Sequence, residues 1–167
     1  CLVGSEMCIR DRAMVGVGAR ASGSTRDSRK DIGYGIYDEL DFEVITETAG
    51  DVEARIKVRI GEVAQSLKLV RQLISKLRRN AETQLVVELG ELQQEKGHFT
   101  WGISESARGD NLHCLLLDKE GRIDRLFVRS ASYPNWPALT VAVQGDIIPD
   151  FPLINKSFEL CYACIDR

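Results

Sequence analysis

The chain of 167 residues is 44% hydrophobic and 28% charged, a composition typical of a soluble globular domain rather than a disordered or collagenous one. Its net charge of -3 supplies no cationic field to attract a nucleic-acid backbone. The longest apolar run, Leu112 to Leu117, is interrupted by His113 and is far shorter than the roughly 18 residues of a membrane-spanning helix. We therefore expect one domain, no nucleic-acid partner and no direct membrane span.

Residues 1–12, which read CLVGSEMCIRDR, differ in character from the rest of the chain. They show no helical period, no strand alternation and no charge-then-apolar order of a targeting signal. The string resembles a translated sequencing adapter, so we expect an artefactual leader and leave Cys1 and Cys8 out of the interpretation. Residues 13–167 are then expected to be a C-terminal fragment of a longer protein.

The first predicted regular element is a long helix. Residues 13–50 are rich in Gly, Ser and Asp without a sustained period, which predicts irregular structure. From Asp51 to Arg78, apolar residues recur at spacings of three and four, which predicts an amphipathic helix roughly 40 Å long with a core-facing stripe. A helix of this length suits a bundle whose other members lie upstream. The stripe comprises Val52, Ile56, Ile60, Val63, Leu67, Val70, Ile74 and Leu77.

A small antiparallel sheet is predicted after the helix. The segment from Asn80 to Leu92 is compatible with either a shorter helix or a returning loop. Asp118 to Gly121 forms a four-residue hairpin loop, with Gly where a positive φ is wanted and a tip near Lys119 and Glu120. The three β-leaning runs are Thr100 to Ser104, Leu112 to Leu117 and Ile123 to Arg129.

The C-terminal region completes the predicted fold. Ala138 to Gln144 predicts two helical turns, which Gly145 ends. Pro149 and Pro152 predict an extended path toward Ser157 and hence an extended C-terminal tail. Together these elements predict an α+β fold with one long bundle helix, a small antiparallel sheet and an extended tail.

Cys161 and Cys164 form a C-x-x-C motif, whose spacing brings two thiols within reach of one metal ion. A structural zinc site would need two more ligands, and a thioredoxin-like pair would open a helix of a βαβ unit. From composition alone, both a metal-binding pair and two chance surface cysteines remain open. Two other motifs also have an ordinary structural interpretation. Glu105-x-x-Arg108-Gly109 is typical of a solvated hairpin turn. A histidine in an apolar run, such as His113, is more often a core residue than a ligand.

Taken in chain order, these residues resemble one family over Val17 to Arg167. The resemblance is to the C-terminal half of the large subunit shared by energy-converting nickel-iron hydrogenases and the quinone-side 49 kDa component of NADH-quinone oxidoreductase (complex I). It begins before the long helix and runs into the terminal cysteine pair. Its later motifs are Glu105-x-x-Arg108-Gly109 and His113. Its earlier motifs, in chain order, are Arg20-Ala21-Ser22-Gly23, Asp27 to Asp31, Tyr37-Asp38-Glu39, Phe42, Gly50-Asp51 and the helix residues Arg55, Arg59, Glu62 and Ser66.

The resemblance implies an oxidoreductase with a nickel-iron centre, because the hydrogenase branch carries the terminal thiols that the complex I branch has generally lost. Carried over, Cys161 would be a terminal nickel ligand and Cys164 would bridge nickel and iron. An N-terminal C-x-x-C, absent from this chain, would complete the centre. Arg108 would overhang the metals as a catalytic group with Glu159 beside them. Residues that would support these groups are Glu105, His113 and Arg167.

Two positions depart from the family's pattern. Glu159-Leu160 stands where the family usually has Asp-Pro, and Ala107 stands where it has Pro before Arg-Gly. The leading prediction is a fragment of the catalytic large subunit of an energy-converting hydrogenase, inactive in isolation. The alternatives are a complex I component that binds quinone and transfers electrons without its own metal, and a non-catalytic interaction subunit with vestigial cysteines.

The resemblance also implies partners and a location. An iron-sulfur small subunit and the membrane subunits of a complex I-like assembly would be the partners, and iron-sulfur clusters would lie only in partner subunits. The protein would be cytoplasmic and peripheral on the inner face of the cell membrane. Five cysteines, an odd number without a secretory signal, agree with a reducing compartment. Residues that would bind any other cofactor are unknown from the sequence.

Overall fold

A computed structural model describes residues 13–79 and 97–164 of the chain. The predicted α+β class is confirmed, since one long helix, a three-stranded antiparallel sheet and several short helices make up the fold. Two 3-10 turns, Tyr37–Glu39 and Ile148–Asp150, lie between these elements. In chain order the elements are α1 (Gly16–Arg20), α2 (Ser28–Asp31), α3 (Val52–Arg79), β1 (Phe99–Ser106), β2 (Gly109–Leu117), β3 (Ile123–Arg129), α4 (Ser132–Ala142) and α5 (Phe151–Phe158).

The long helix α3 agrees with the predicted bounds to within one residue at each end. It begins after Asp51, whose side chain accepts a hydrogen bond of 2.8 Å from the backbone N–H of Ala54. Glu53 lies in its first turn and Lys76, Arg78 and Arg79 in its last, so both ends complement the helix dipole. The prediction for Asn80 to Leu92 lies outside the described residues.

The face of α3 that is buried differs from the predicted one. Only Val52 of the predicted stripe is buried within the described part of the chain, and the other seven residues are exposed. The buried face consists of Val52, Ala54, Arg55, Val58 and Leu69. It is covered by α1, which packs against Ala54 and Val58, and by the segment around Leu40 and Phe42, which packs against Leu69.

The predicted irregular structure of residues 13–50 is partly wrong, because α1 and α2 form within it. Helix α1 is only five residues long, yet Val17 and the following Ala21 are buried against Ala54 and Val58 of α3. Asp27 caps α2 by accepting from the backbone N–H of Arg29 at 3.0 Å. Tertiary burial and this cap stabilise helices too short to show a period in the sequence.

The three predicted strands are confirmed in the order β1-β2-β3, with both pairs antiparallel. At the predicted hairpin, Gly121 has a φ of 84°, and its N–H donates to the carbonyl of Asp118 at 3.1 Å. The other hairpin is tighter and joins Ser106 to Gly109. This second turn carries Ala107 and Arg108 to one end of the sheet.

The prediction of an extended C-terminal tail is wrong, because α5 forms there and Ile154 and Phe158 are buried. Pro152 lies in the first turn of α5, where a missing N–H breaks no intrahelical hydrogen bond. Helix α4 likewise starts six residues before the predicted Ala138 and contains Pro137. Prolines that suggest breaks in the chain therefore lie inside or at the start of helices.

The main core joins the start of α3 to α4 and α5 and thereby positions the cysteine loop. Leu160, directly before Cys161, is buried in this core. In the described ranges, no helix combines the length and apolar character needed to cross a membrane. The buried members of the core are Met14, Ala19, Val52, Ala138, Leu139, Ala142, Ile154, Phe158 and Leu160.

Candidate functional site: the cysteine loop and its arginines

The cysteine loop, residues 159–164, follows α5 directly. Glu159 adopts a left-handed conformation, with a φ of 53°, and ends the helix as its C-cap. The buried Leu160 fixes the loop to the core, and the backbone N–H of Cys161 donates to Ser132 Oγ at 3.0 Å. Cys161 and Cys164 are both free thiols of intermediate exposure.

The two thiols are close enough to share a hydrogen bond, which lowers the pKa of Cys161 and raises the pKa of Cys164. Nearby backbone hydrogen bonds and the positive charge of Arg108 lower the pKa of Cys161 further. Cys161 is therefore the thiol that ionises first, with Cys164 as its hydrogen-bond donor.

Arg108 reaches the cysteine loop from the tight β1–β2 turn. Its Nε donates a hydrogen bond to the backbone carbonyl of Glu159, 51 positions away in the sequence. The turn itself is held by Ser106 Oγ, which donates to the carbonyl of Gly109 at 2.8 Å. A Cβ at Gly16 would collide with the carbonyl of Arg108, so α1 packs directly beneath this turn. The structure thus brings Arg108 and the two cysteines together.

The Glu159 side chain points toward α3 and not toward an open metal site. Its Oε2 lies 3.1 Å from Arg59 Nη1, and its Oε1 lies 3.6 Å from Lys156 Nζ. Arg59 also donates to the backbone carbonyls of Ser157 and Phe158 at 3.3 and 3.1 Å. The carbonyl of Glu159 holds Arg108 while its carboxylate holds Arg59, so this one residue joins two guanidinium groups.

Arg55, one turn before Arg59 on α3, anchors the end of α5. Its Nε donates to Ser157 Oγ at 2.8 Å and its Nη1 to the carbonyl of Gly50 at 2.7 Å. The guanidinium lies 4.0 Å from the centre of the Phe158 ring. Burial lowers the pKa of Arg55 to about 10. The sequence motifs contain Arg55 and Arg59 without indicating a role for them, although their spacing of four places both on one helix face.

Glu105 contacts a separate buried ion cluster rather than the cysteine loop. Its Oε1 accepts from Arg20 Nη1 at 2.9 Å, and its Oε2 accepts from the backbone N–H of Ser28 at 3.1 Å. The backbone N–H of Glu105 donates to Tyr34 Oη at 2.8 Å. Arg20 also pairs with Glu62 at 2.6 Å. Sequence spacing could not find this cluster, because Arg20 and Glu105 are 85 positions apart.

The two remaining predicted residues are not part of this arrangement. His113 is an exposed residue of β2, opposite Gly102 and Val128, so the core position considered for it is wrong. It lies four residues, about 13 Å of strand, from the Arg108 turn. Arg167 lies outside the described residues.

The cysteine pair matches half of a thiolate metal site. Thiolates are soft ligands that suit nickel and iron, and the lowered pKa of Cys161 favours its ligating form. Over residues 13–79 and 97–164, no group of three or more His, Cys, Asp or Glu side chains is arranged to hold a metal ion. A four-thiolate centre would thus draw its other two ligands from beyond these ranges.

Comparison with known proteins gives relatives of two kinds. Formate hydrogenlyase subunit 5 of Escherichia coli is 37% identical over 95% of this chain and 27% of its own length. A subunit of the NADH-quinone oxidoreductase of Salinispora tropica is 35% identical over 89% of this chain and 38% of its own length. This chain therefore spans well under half of either relative.

A solved structure and a family profile extend the comparison over nearly the whole chain. A chain of the membrane-bound sulfane sulfur reductase, an archaeal respiratory membrane complex, superposes with a TM-score of 0.85 and 25% identity. The match covers 99% of this chain and 46% of that one. The profile of the 49 kDa subunit of respiratory-chain NADH dehydrogenase matches residues 2–98 and 83–167. The chain therefore belongs to the family of the 49 kDa subunit of respiratory-chain NADH dehydrogenase.

Proposed function

We propose that this chain is part of the catalytic large subunit of an energy-converting nickel-iron hydrogenase, which interconverts hydrogen with protons and electrons. The observation that carries the proposal is the pair of free thiols, Cys161 and Cys164, in the loop whose backbone accepts a hydrogen bond from the cationic Arg108. A hydrogenase relative aligned over 95% of the chain supports the same interpretation. A quinone-binding subunit without a metal would have no chemical need for two adjacent thiols.

In this proposal, Cys161 and Cys164 would both be thiolate ligands of the nickel-iron centre, and two thiolates from another segment would complete the set. When bound, the centre supplies the redox chemistry that splits hydrogen or reduces protons. The chain's own contribution is a cysteine loop held in place by Ser132 and Leu160. Thiols held this way need little rearrangement to receive metals.

Arg108 is the proposed catalytic cation. Its Nε is engaged with the carbonyl of Glu159, so the guanidinium is fixed in direction. A fixed guanidinium favours the thiolate form of Cys161 and would stabilise negative charge that develops beside the thiols. Glu159 acts as a positioning residue, through its carbonyl to Arg108 and its carboxylate to Arg59.

The proposed partners follow from the relatives. An iron-sulfur small subunit would exchange electrons with the centre, and membrane subunits would hold the assembly on the inner face of the cell membrane. The solved relative belongs to a respiratory membrane complex, which supports peripheral attachment through such partners.

The experiment that tests the proposal is hydrogen-dependent viologen reduction by the purified complex that contains the full-length protein. We expect activity in the wild type and its loss in the Cys161→Ser and Cys164→Ser variants. Cys114→Ser is the matched control, because this free cysteine lies in the sheet and not in the cysteine loop. On β2, it pairs with Trp101 and Phe127. Quinone reduction without hydrogen turnover, unchanged by either loop substitution, would instead support the metal-free, quinone-binding alternative.

A second variant separates the role of Arg108 from metal retention. Arg108→Lys keeps the charge but removes the planar fork that bonds the Glu159 carbonyl. We expect hydrogen turnover to fall while nickel content stays near that of the wild type. Loss of nickel in proportion to activity would show that Arg108 serves assembly of the centre and not its chemistry.

A further inference from the structure

Glu105 is a buried carboxylate that lies between two cavities. One, here called the arginine cavity, has a volume of about 250 Å³ and is lined by Arg20, Arg29, Arg59, Glu62, Glu105 and Ala107 among others. The other, the acidic cavity, has a volume of about 120 Å³ and is lined by Asp27, Asp31, Asp110 and Glu105 among others. Of the described residues that line them, Glu105 alone lines both.

The charge around Glu105 leaves one carboxylate without a cation of its own. Arg29 makes a two-bond ion pair with Asp27, at 2.9 and 2.6 Å. Arg20 is then the partner of both Glu62 and Glu105, at 2.6 and 2.9 Å. The Arg20 side chain is 1% exposed and that of Glu105 is 5% exposed, so solvent screens this imbalance weakly. Arg20 and Arg29 thus lie at short range from three carboxylates, those of Asp27, Glu62 and Glu105.

Burial acts in the same direction on the Glu105 and Asp27 carboxyl groups, but the net shifts of their pKa differ. Burial raises the pKa of Glu105 despite its hydrogen bond from Arg20. Asp27, in contrast, has its pKa lowered by Arg29. The charged and titratable groups that contact Glu105 or line the two cavities with it are Arg20, Arg26, Asp27, Arg29, Asp31, Tyr34, Tyr37, Arg59, Glu62 and Asp110.

Two residues that line the arginine cavity are neighbours of the cysteine loop or of Arg108. Arg59 lines the cavity and pairs with Glu159, which lies two residues before Cys161. Ala107, the neighbour of Arg108, lines the same cavity. Both cavities carry charged side chains in otherwise mixed walls and have room for water, so water molecules can carry protons along these side chains.

We propose that Glu105 is a proton-transfer residue, which passes protons between the arginine cavity beside the cysteine loop and the acidic cavity. The proposal rests on the proposed function in that hydrogen chemistry at the loop supplies or consumes the protons. The Glu105 carboxylate takes a proton from a hydronium ion in one cavity, and the resulting acid releases it to water in the other. No electron moves in this step, and the carboxylate is regenerated.

The first test measures the protonation of Glu105 directly and does not need a working metal centre. Infrared difference spectra of the purified complex, wild type minus Glu105→Gln, are recorded across a pH titration. We expect a carbonyl stretch of a protonated carboxylic acid that shifts in D₂O, disappears at high pH and is absent from the variant. Absence of any titrating band in the wild-type minus variant spectrum would overturn the proposal.

The second test measures hydrogen turnover in the same complex. Glu105→Gln should lower turnover about tenfold or more at unchanged nickel content and should raise the solvent deuterium isotope effect. Glu105→Asp, which restores a titratable group, should recover most of the rate. Glu53→Gln is the control, since this exposed helix residue pairs only with Lys57 among the ion pairs described.

The outcomes distinguish this proposal from the proposed function. Wild-type turnover in nickel-loaded Glu105→Gln contradicts the proton-transfer role and leaves the hydrogenase assignment intact. A wild-type complex without nickel contradicts the hydrogenase assignment, while the infrared titration still decides whether Glu105 exchanges protons. If Glu105→Gln does not fold, Glu62→Gln replaces it in the turnover test, because Glu62 lines the same cavity and shares Arg20. Unchanged turnover and isotope effect in that variant would count against the relay.

Discussion

Arg20 is almost fully buried and neutralises carboxylates from two different elements, Glu62 of α3 and Glu105 of β1. Replacing it in Arg20→Met would leave both carboxylates without their cation. We expect the variant to lose roughly 3–5 kcal/mol of unfolding free energy at neutral pH. Burial already raises the folded pKa of Glu105, and removal of the Arg20 cation would raise it further. The loss should therefore be smallest at low pH and grow as the pH rises through the folded pKa.

Urea unfolding at about pH 5 and about pH 8 measures this effect. Lys57→Met provides the matched control, because Lys57 forms an exposed pair with Glu53 and its loss should change stability little at either pH. Equal losses in Arg20→Met at the two pH values would show that packing, and not charge, explains the role of Arg20.

The lowered pKa of Cys161 predicts an order of thiol reactivity. At neutral pH iodoacetamide should modify Cys161 before Cys164, whose pKa is raised by the hydrogen bond between them. Arg108→Met should slow the reaction of Cys161, because a positive charge that favours the thiolate is removed. Peptide mapping by mass spectrometry gives the rate at each cysteine, and faster labelling of Cys164 would contradict the assignment.

At the residue scale, local motifs are predictable from the sequence and long-range pairings are not. The C-x-x-C of Cys161 and Cys164 is visible in the sequence, and its link to Arg108 follows from the family resemblance. The contacts of Arg20 with Glu62 and Glu105 join residues 42 and 85 positions apart, which no spacing rule encodes. The family resemblance implies a place for Glu105 beside the cysteines. In the structure, the contacts of Glu105 lie instead in the buried ion cluster.

At the element scale, the contact between α1 and the Arg108 turn can be tested with two glycines of similar backbone conformation. Gly16 and Gly35 have φ values of 66° and 65°. Alanine at Gly35 meets no neighbouring atom, so it should cost roughly 1–2 kcal/mol from the backbone alone. Alanine at Gly16 would also collide with the carbonyl of Arg108 and should cost more.

Thermal unfolding of Gly16→Ala and Gly35→Ala compares these costs, and the labelling rate of Cys161 reports on Arg108. We expect only Gly16→Ala to slow labelling, because a displaced turn moves the guanidinium away from the cysteine loop. Identical behaviour of the two variants would show that close packing beneath the turn is not required.

The exposed stripe of α3 predicts association of this chain when it is produced alone. Seven large apolar residues along one helix face exceed the scattered exposure usual for a monomer. Ile60→Gln combined with Leu67→Gln should lower self-association, measured by sedimentation, with little change in stability, since both side chains are exposed. Leu69→Gln, which alters a residue packed against Leu40 and Phe42, should instead lower the stability.

The periodicity of α3 predicts its existence and length but not the face that is buried. An amphipathic pattern shows where a helix is apolar, and the elements that cover it decide which positions are buried. Here α1 packs on Ala54 and Val58, which lie outside the predicted apolar stripe. Helix α5 escapes prediction for a different reason, since Pro152 suggests extended chain and yet lies in a helical first turn.

At the scale of the whole molecule, this chain corresponds to 27% of one curated relative and 38% of another. In the proposed assignment, its two thiols beside Arg108 would supply half of the ligands of a four-thiolate centre. We expect the chain produced alone to bind no stoichiometric nickel and to evolve no hydrogen. Nickel analysis after anaerobic purification checks this, and a nickel-loaded monomer that unfolds cooperatively would contradict the division of ligands.

The central claim, that the cysteine loop holds a nickel-iron centre, is tested most directly by metal analysis of the full-length protein purified anaerobically in its complex. We predict one nickel per large subunit in the wild type and in Cys114→Ser, and loss of nickel in Cys161→Ser and in Cys164→Ser. Full nickel occupancy in either loop variant, or none in an active wild-type complex, would contradict the claim.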